Sequence, residues 1–290
     1  MTPLDLVQLT ALMERTSGTP DMLVGLIDGP VVMTHPDLTE ENIRGISGKL
    51  SGTCTQVSSA ACLHGTFVAG VLCAKRTSVA PAICPNCTLL VRPIFAETIS
   101  ERGQMPSATP KELATAICEC IEAGARVINL SSALVEPASN GQRELVEALD
   151  YALRRGVLVV VAAGNQSTLG SSIITRHPWV IPVVAYDLRG RPMDQSNFGN
   201  SIGRRGLGAP GDAITSLGAK GTLLTFGGTS AATPFVTGTI ALLWSVFPAA
   251  TAAEIRYAVI QASVPRRPTV VPPLLNAWGA YHMMKMSVRR

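Results

Sequence analysis

The sequence predicts an α/β protein with a mainly parallel sheet, and three observations carry that expectation. Short apolar runs of three to five residues recur along the 290-residue chain. Stretches with helical apolar spacing lie between them, and strands alternating with helices build parallel sheets. The composition, 47% hydrophobic against 15% charged, is rich enough to cover such a sheet on both faces.

The first run, Leu23-Val24-Gly25-Leu26-Ile27, ends in Asp28 and a Gly29-Pro30 turn, which reads as a buried strand with an acid at its carboxyl end. Ahead of it, Leu4, Leu6, Val7, Leu9 and Leu12 predict a short amphipathic helix, so residues 1–20 are expected to form a helical extension on a domain spanning 21–290. Further strands are expected at 89–91, 127–130, 157–161 and 180–184. Helices are expected at about 65–75, at about 110–124 behind Thr109-Pro110-Lys111-Glu112, and at about 141–154, where Leu145, Ala148, Leu149 and Ala152 keep helical spacing. From Gly228 a helix over 230–246 is apolar nearly all round, and Thr251-Ala252-Ala253-Glu254 announces another over 251–262 with a capping-box pattern. Residues 98–107 read as a polar surface loop, and the proline-rich 265–273 as an extended run leading to a short C-terminal helix.

Net charge is +4, but the 24 Lys and Arg are scattered, with Arg-Arg pairs at 154–155, 204–205, 266–267 and 289–290 and no basic helix face, so no nucleic-acid partner is expected. No stretch reaches the ~18 apolar residues of a membrane span, and the N-terminus lacks a basic region followed by an apolar run. The expectation is a cytoplasmic protein that meets no membrane; nothing in the chain specifies an oligomeric state. Seven cysteines leave at least one unpaired within the chain. Cys84-Pro85-Asn86-Cys87 suits a tight disulfide or half of a zinc site, but Cys118-Glu119-Cys120 supplies no matching pair. Reduced structural thiols, or a disulfide through Cys84 or Cys87, are expected, with no metal and no cofactor.

Four segments carry chemistry. A serine hydroxyl is protonated at neutral pH and needs a base within reach, and that base needs a partner to hold its tautomer. Asp28 closes a strand, while His64 in His64-Gly65-Thr66 and Ser230 in Gly228-Thr229-Ser230-Ala231-Ala232-Thr233-Pro234 are expected to begin helices. The chain order Asp, His, Ser is one of three known for such a triad. Asn165 closes Val161-Ala162-Ala163-Gly164-Asn165, where its amide could donate to a developing oxyanion beside the Ser230 N–H.

With these segments the chain resembles the subtilisin-type serine peptidases. Leu26-Ile27-Asp28 with His35-Pro36-Asp37-Leu38, then His64-Gly65-Thr66-Phe67-Val68-Ala69-Gly70, Ala162-Ala163-Gly164-Asn165, Ala209-Pro210-Gly211 and the serine segment are similar to the family blocks in order and spacing. The resemblance implies a three-layer α/β fold with a mainly parallel seven-stranded sheet, and a peptide or protein substrate bound as an extended strand. It also implies that Ser131, Ser132 and Ala133 pair with or wall that substrate opposite Ala163 and Gly164, with 101–106 as the other edge. Within the family, Asp28-Gly29-Pro30-Val31 and the 87–95 segment look most like cyanobactin-type maturation proteases, which remove leaders from ribosomal precursor peptides. Phe67 replaces a usual His, and Ala231-Ala232-Thr233-Pro234-Phe235 replaces a Met-Ala-Ser-Pro-His pattern; both changes leave the proton path intact. The segment from Gly70 to Val91 replaces the loop that carries calcium in secreted members, so Asp37 is expected to be a turn residue. Competing readings are a peptide macrocyclase, for which the short interval from Asp28 to His64 leaves little room for a cover, and an inactive peptide-binding or scaffold protein.

Overall fold

The computed structural model describes residues 1–97, 108–131, 141–263 and 269–287. The loop expected at 98–107 and its substrate edge, Ser132, Ala133, and most of the first half of the 265–273 run lie outside the described residues.

In chain order the elements are α1 (Pro3–Leu6), α2 (Thr10–Met13), β1 (Leu23–Asp28), β2 (Ile43–Gly45), α3 (Ala60–Cys73), β3 (Thr88–Pro93), α4 (Pro110–Glu122), β4 (Val127–Leu130), α5 (Gln142–Arg155), β5 (Leu158–Ala162), α6 (Ile173–Arg176), β6 (Ile181–Tyr186), α7 (Asn200–Arg205), β7 (Leu207–Pro210), β8 (Ile214–Leu217), β9 (Leu223–Phe226), α8 (Thr229–Val246), α9 (Ala252–Gln261) and α10 (Ala277–Ser287). Seven strands make one parallel sheet in the order β2-β3-β1-β4-β5-β6-β7, and β8 and β9 form a separate antiparallel hairpin.

Alternation along each strand sorts the core into two layers. Val24 and Leu26 of β1, Leu89 and Val91 of β3, and Leu158 and Val160 of β5 face α3 and α8. Ile27, Leu90, Val159 and Val161 face α4 and α5 instead. Both faces are covered, which is why the runs read as continuous apolar stretches instead of alternating ones. Helix α8 is buried from Ala231 to Trp244, so it can be apolar all round.

Five of the seven sheet strands fall where the apolar runs place them; β2, β7 and the hairpin strands are only three or four residues long and are interrupted by polar residues, glycine or proline, so they do not stand out. Two expectations need correction. Helix α3 begins at Ala60, not at His64, because the Ser59 hydroxyl caps it by accepting from Cys62 N at 3.2 Å. The single N-terminal helix is two short ones, broken where Gln8 takes a left-handed φ of 53°. Val7, Leu9 and Leu12 are nevertheless buried, and Val7 O accepts from Ala277 N at 3.0 Å, so the segment packs on the body.

Candidate active site

Strand order reverses at β1, which has β3 on one side and β4 on the other. Open α/β sheets bind ligands beyond the carboxyl ends of their strands at such a switch point. Asp28 occupies that end of β1. The register pairs Ile27 with Leu130 and Leu130 with Val161, so Asp28, Ser131 and Ala162 lie at one level on three adjacent strands. Two strand spacings, about 10 Å, separate β1 from β5.

His64 reaches Asp28 because the backbone of α3 lies directly on the turn after β1. A β-carbon on Gly29 would overlap the Ala61 carbonyl, and one on Gly65 would sit 2.5 Å from the carbonyl oxygens of both Gly29 and Pro30. Only glycines allow that approach. His64 Nδ1 then lies 2.7 Å from Asp28 Oδ1, which also accepts from Gly29 N at 2.7 Å. Asp28 is fully buried, and its Oδ2 has no hydrogen-bond partner among the described residues. The His64 side chain is 14% exposed. Burial opposes charge on the imidazole, but the charge and hydrogen bond of Asp28 outweigh it, and the His64 pKa is raised above its ordinary value. The Phe226 ring lies 6.0 Å from the imidazole and packs edge-on against Phe67 at 5.0 Å, an apolar lining on that side of His64.

Phe226 also leads to Ser230, the second residue of α8. Gly228 makes the turn between them with φ 97°, a conformation that disfavours side chains, and a β-carbon there would lie 2.8 Å from Asn165 Oδ1. Asn165 is held from this helix: its Oδ1 accepts from Thr229 N at 2.9 Å and from Thr229 Oγ1 at 3.1 Å. A backbone N–H requires an oxygen acceptor, so the amide orientation is fixed. Its exposed NH₂ makes no hydrogen bond among the described residues and is available as a donor beside the start of α8.

Ser131 is buried, and its hydroxyl accepts from Asn129 Nδ2 at 2.6 Å, while Asn129 Oδ1 accepts from Thr237 of α8 at 2.8 Å. That network ties the end of β4 to α8. Ala163 N donates to Val183 O and Gly164 N to Thr229 Oγ1, while their carbonyls accept from Asn197 Nδ2 and Asn197 N. Ala163 and Gly164 therefore offer a rigid wall. Asn197 also takes Gln166 N and Thr168 N on its Oδ1, anchoring the loop that presents Asn165. Nothing local in the sequence marks Asn197, whose side chain bonds residues 29 to 34 positions away, or the pairing of Asn129 with Thr237 across 108 residues.

The cysteines pair differently from either expectation. Cys54 and Cys62 form a disulfide with Cα atoms 5.6 Å apart, whereas Cys84 and Cys87 are free and buried. Adjacency in a CxxC motif did not decide the pairing; α3 brings Cys62, in its first turn, against the 52–54 segment, where Cys54 N donates to Val31 O. Cys54, Cys62 and Glu97 are the one grouping of metal-ligating side chains among the described residues. Its thiols are spent on the disulfide, and Glu97 accepts from Thr55 N, Thr55 Oγ1 and Gln56 N. No helix among the described residues is long and apolar enough to cross a membrane.

Fold and site together define a doubly wound α/β protein whose switch point holds a buried carboxylate–imidazole pair, with a helix-initiating serine four residues after the phenylalanine that packs beside the imidazole. More narrowly, the chain belongs to the Subtilase family, which it matches over residues 19–279. It is 30% identical to Fervidolysin of Fervidobacterium pennivorans over 270 residues, covering 84% of this chain but only 37% of that protein. Among solved structures it is similar to a serine-to-alanine mutant of the protease domain of PatA, with 28% identity, TM-score 0.84, and 93% and 97% of the two chains covered. The prenylagaramide maturation protease PagA is similar at 26% identity and TM-score 0.81, with 95% and 98% covered.

Proposed function

We propose that the chain is a serine endopeptidase using Ser230 as nucleophile, His64 as general base and Asp28 as the group that holds His64 in its tautomer. As Ser230 Oγ attacks the scissile carbonyl carbon, its proton passes to His64 Nε2. The buried Asp28 carboxylate, bonded to His64 through Oδ1, stabilises the imidazolium more than the neutral ring, so the stabilisation grows as charge develops on His64. The new oxyanion is received by the Asn165 NH₂ and the Ser230 N–H. His64 returns the proton to the leaving amine, an acyl-enzyme remains on Ser230, and water deprotonated by His64 hydrolyses it to the free carboxylate and serine.

The observation that carries this reading is the 2.7 Å bond between His64 Nδ1 and Asp28, which leaves Nε2 as the nitrogen free to act. The substrate is bound as an extended strand along the Ser131–Ala133 segment, against the wall of Ala163 and Gly164. Two structural neighbours are named as maturation proteases or their domains, which supports a ribosomal precursor peptide as substrate and leader removal as the cut. Residues 1–20 serve as an extension of a peptidase domain over 21–290. A cytoplasmic location sits uneasily with the Cys54–Cys62 disulfide, since such bonds persist mainly in oxidising compartments.

A fluorophosphonate probe tests the reading: it labels the wild type and not Ser230→Ala. Well-folded wild type that takes no label would instead make the chain a peptide-binding protein.

A further inference from the structure

At the end of the sheet opposite Asp28 and Asn165, the chain enters β4 and β5. There Arg126, Arg154 and Arg155 line a cleft of about 480 Å³ together with Val157, Trp244 and Ala252, and no carboxylate is among its described lining residues. The sequence scatters these arginines; the fold gathers them by ending α4 and α5 side by side.

The cleft is built before any ligand arrives. Arg126 donates from Nη1 to Pro248 O and from Nη2 to Ala250 O, both at 3.3 Å, and its guanidinium lies 4.5 Å from the centre of the Trp244 ring. Trp244 is fixed in turn by its Nε1, which donates to Ala250 O at 2.9 Å. Arg154 and Arg155 flank Tyr151, with guanidinium groups 5.9 and 5.8 Å from its ring. Helix C-termini normally present negative carbonyls, but here they are capped: Ala125 N donates to Cys120 O and Val157 N to Ala152 O. Glu254, the acid in the first turn of α9 at the rim, is turned back onto Thr251 N and Oγ1 at 2.8 and 2.7 Å. Positive charge continues past the rim, where Trp179 Nε1 donates to Val157 O and carries Arg256 over its ring at 5.5 Å.

We propose that this cleft is a binding site for an acidic peptide segment carrying two or three closely spaced carboxylates. Guanidinium groups bind carboxylates through paired N–H donors. The volume is that of a drug-sized ligand site, larger than one compact oxyanion needs. The apolar floor of Val157, Trp244 and Ala252 receives side-chain stems. A peptide held here while another part of it lies at the far end of the sheet gains effective concentration there. The binding claim stands independently of the catalytic reading.

The test is fluorescence anisotropy of labelled hexaglutamate on the full chain at low salt. The wild type binds it saturably and binds labelled hexaglutamine at least tenfold more weakly. Exposed Arg154→Gln with Arg155→Gln weakens hexaglutamate by about tenfold, and adding Arg126→Gln weakens it further. Circular dichroism and thermal melts of the same variants match the wild type, which separates lost binding from misfolding whatever the catalytic reading. Unchanged affinity in the double variant, or equal binding of the two peptides, overturns the proposal. Displacement of hexaglutamate by equimolar inorganic phosphate overturns the peptide assignment in favour of a compact oxyanion.

Discussion

Gly65→Ala tests whether backbone contact between α3 and the β1 turn sets the His64–Asp28 geometry. The added β-carbon would sit 2.5 Å from the carbonyl oxygens of Gly29 and Pro30. These are main-chain atoms with no rotamer to move into, so α3 must withdraw by at least about 0.5 Å. The 2.7 Å bond between His64 Nδ1 and Asp28 Oδ1 then opens to about 3.2 Å, the edge of hydrogen-bond range. A displacement of that size at reacting groups costs up to about 10²-fold in rate, and overpacking costs about 1–3 kcal/mol of stability. The assay is the second-order rate of fluorophosphonate labelling, measured well below the melting transition and alongside circular dichroism. Gly170→Ala is the control, because nothing lies within 4 Å of a β-carbon there. A folded Gly65→Ala protein that labels within twofold of wild type would show that α3 is not held by this contact.

Asp28→Asn is expected to lower kcat by about 10⁴-fold with the fold retained, because the amide favours the wrong imidazole tautomer; near-normal turnover of a model peptide would remove Asp28 from its role. Since catalysis needs neutral His64 and Asp28 raises its pKa, the acid limb of kcat/KM in the wild type lies above the ordinary imidazole value, and activity falls as pH drops through it. The same raised pKa gives a stability contribution that is full below the unfolded-state pKa and lost as pH rises through the folded one, which thermal melts across that window would reveal. Asn165→Ala should cut kcat by about 10²- to 10³-fold, a range set by subtilisin itself, with little change in KM; an equal rise in KM would make its role substrate binding. Replacing Cys54 and Cys62 together by serine opens a disulfide of sequence separation 8, expected to cost about 2–3 kcal/mol in chemical denaturation. Alkylation under denaturing, non-reducing conditions should modify the five free cysteines and spare that pair.

Five strands were legible because a sheet buried on both faces writes itself as unbroken apolar runs, and β1, β3, β4, β5 and β6 are such strands. Strand β2, with Arg44 and Gly45 exposed, and the half-exposed β9 carry no such signature. Helix starts at Thr109 and Thr251 were visible because a capping box is local, contained within four residues. The start of α3 was missed because Ser59 caps it without the acidic partner three residues on.

The amino-acid order by itself determined the fold class, pointed to Asp28, His64, Asn165 and Ser230 as the proposed reactive set, and placed the glycines beside them, because each depends on residue type and near neighbours. Only the tertiary structure decided which groups meet. It selected Cys54 with Cys62 over the adjacent Cys84 and Cys87, held Asn165 through Thr229, and gathered Arg126 with Arg154 and Arg155. Each of these contacts joins segments that local patterning treats as unrelated, and its distance is set by how whole helices settle on the sheet.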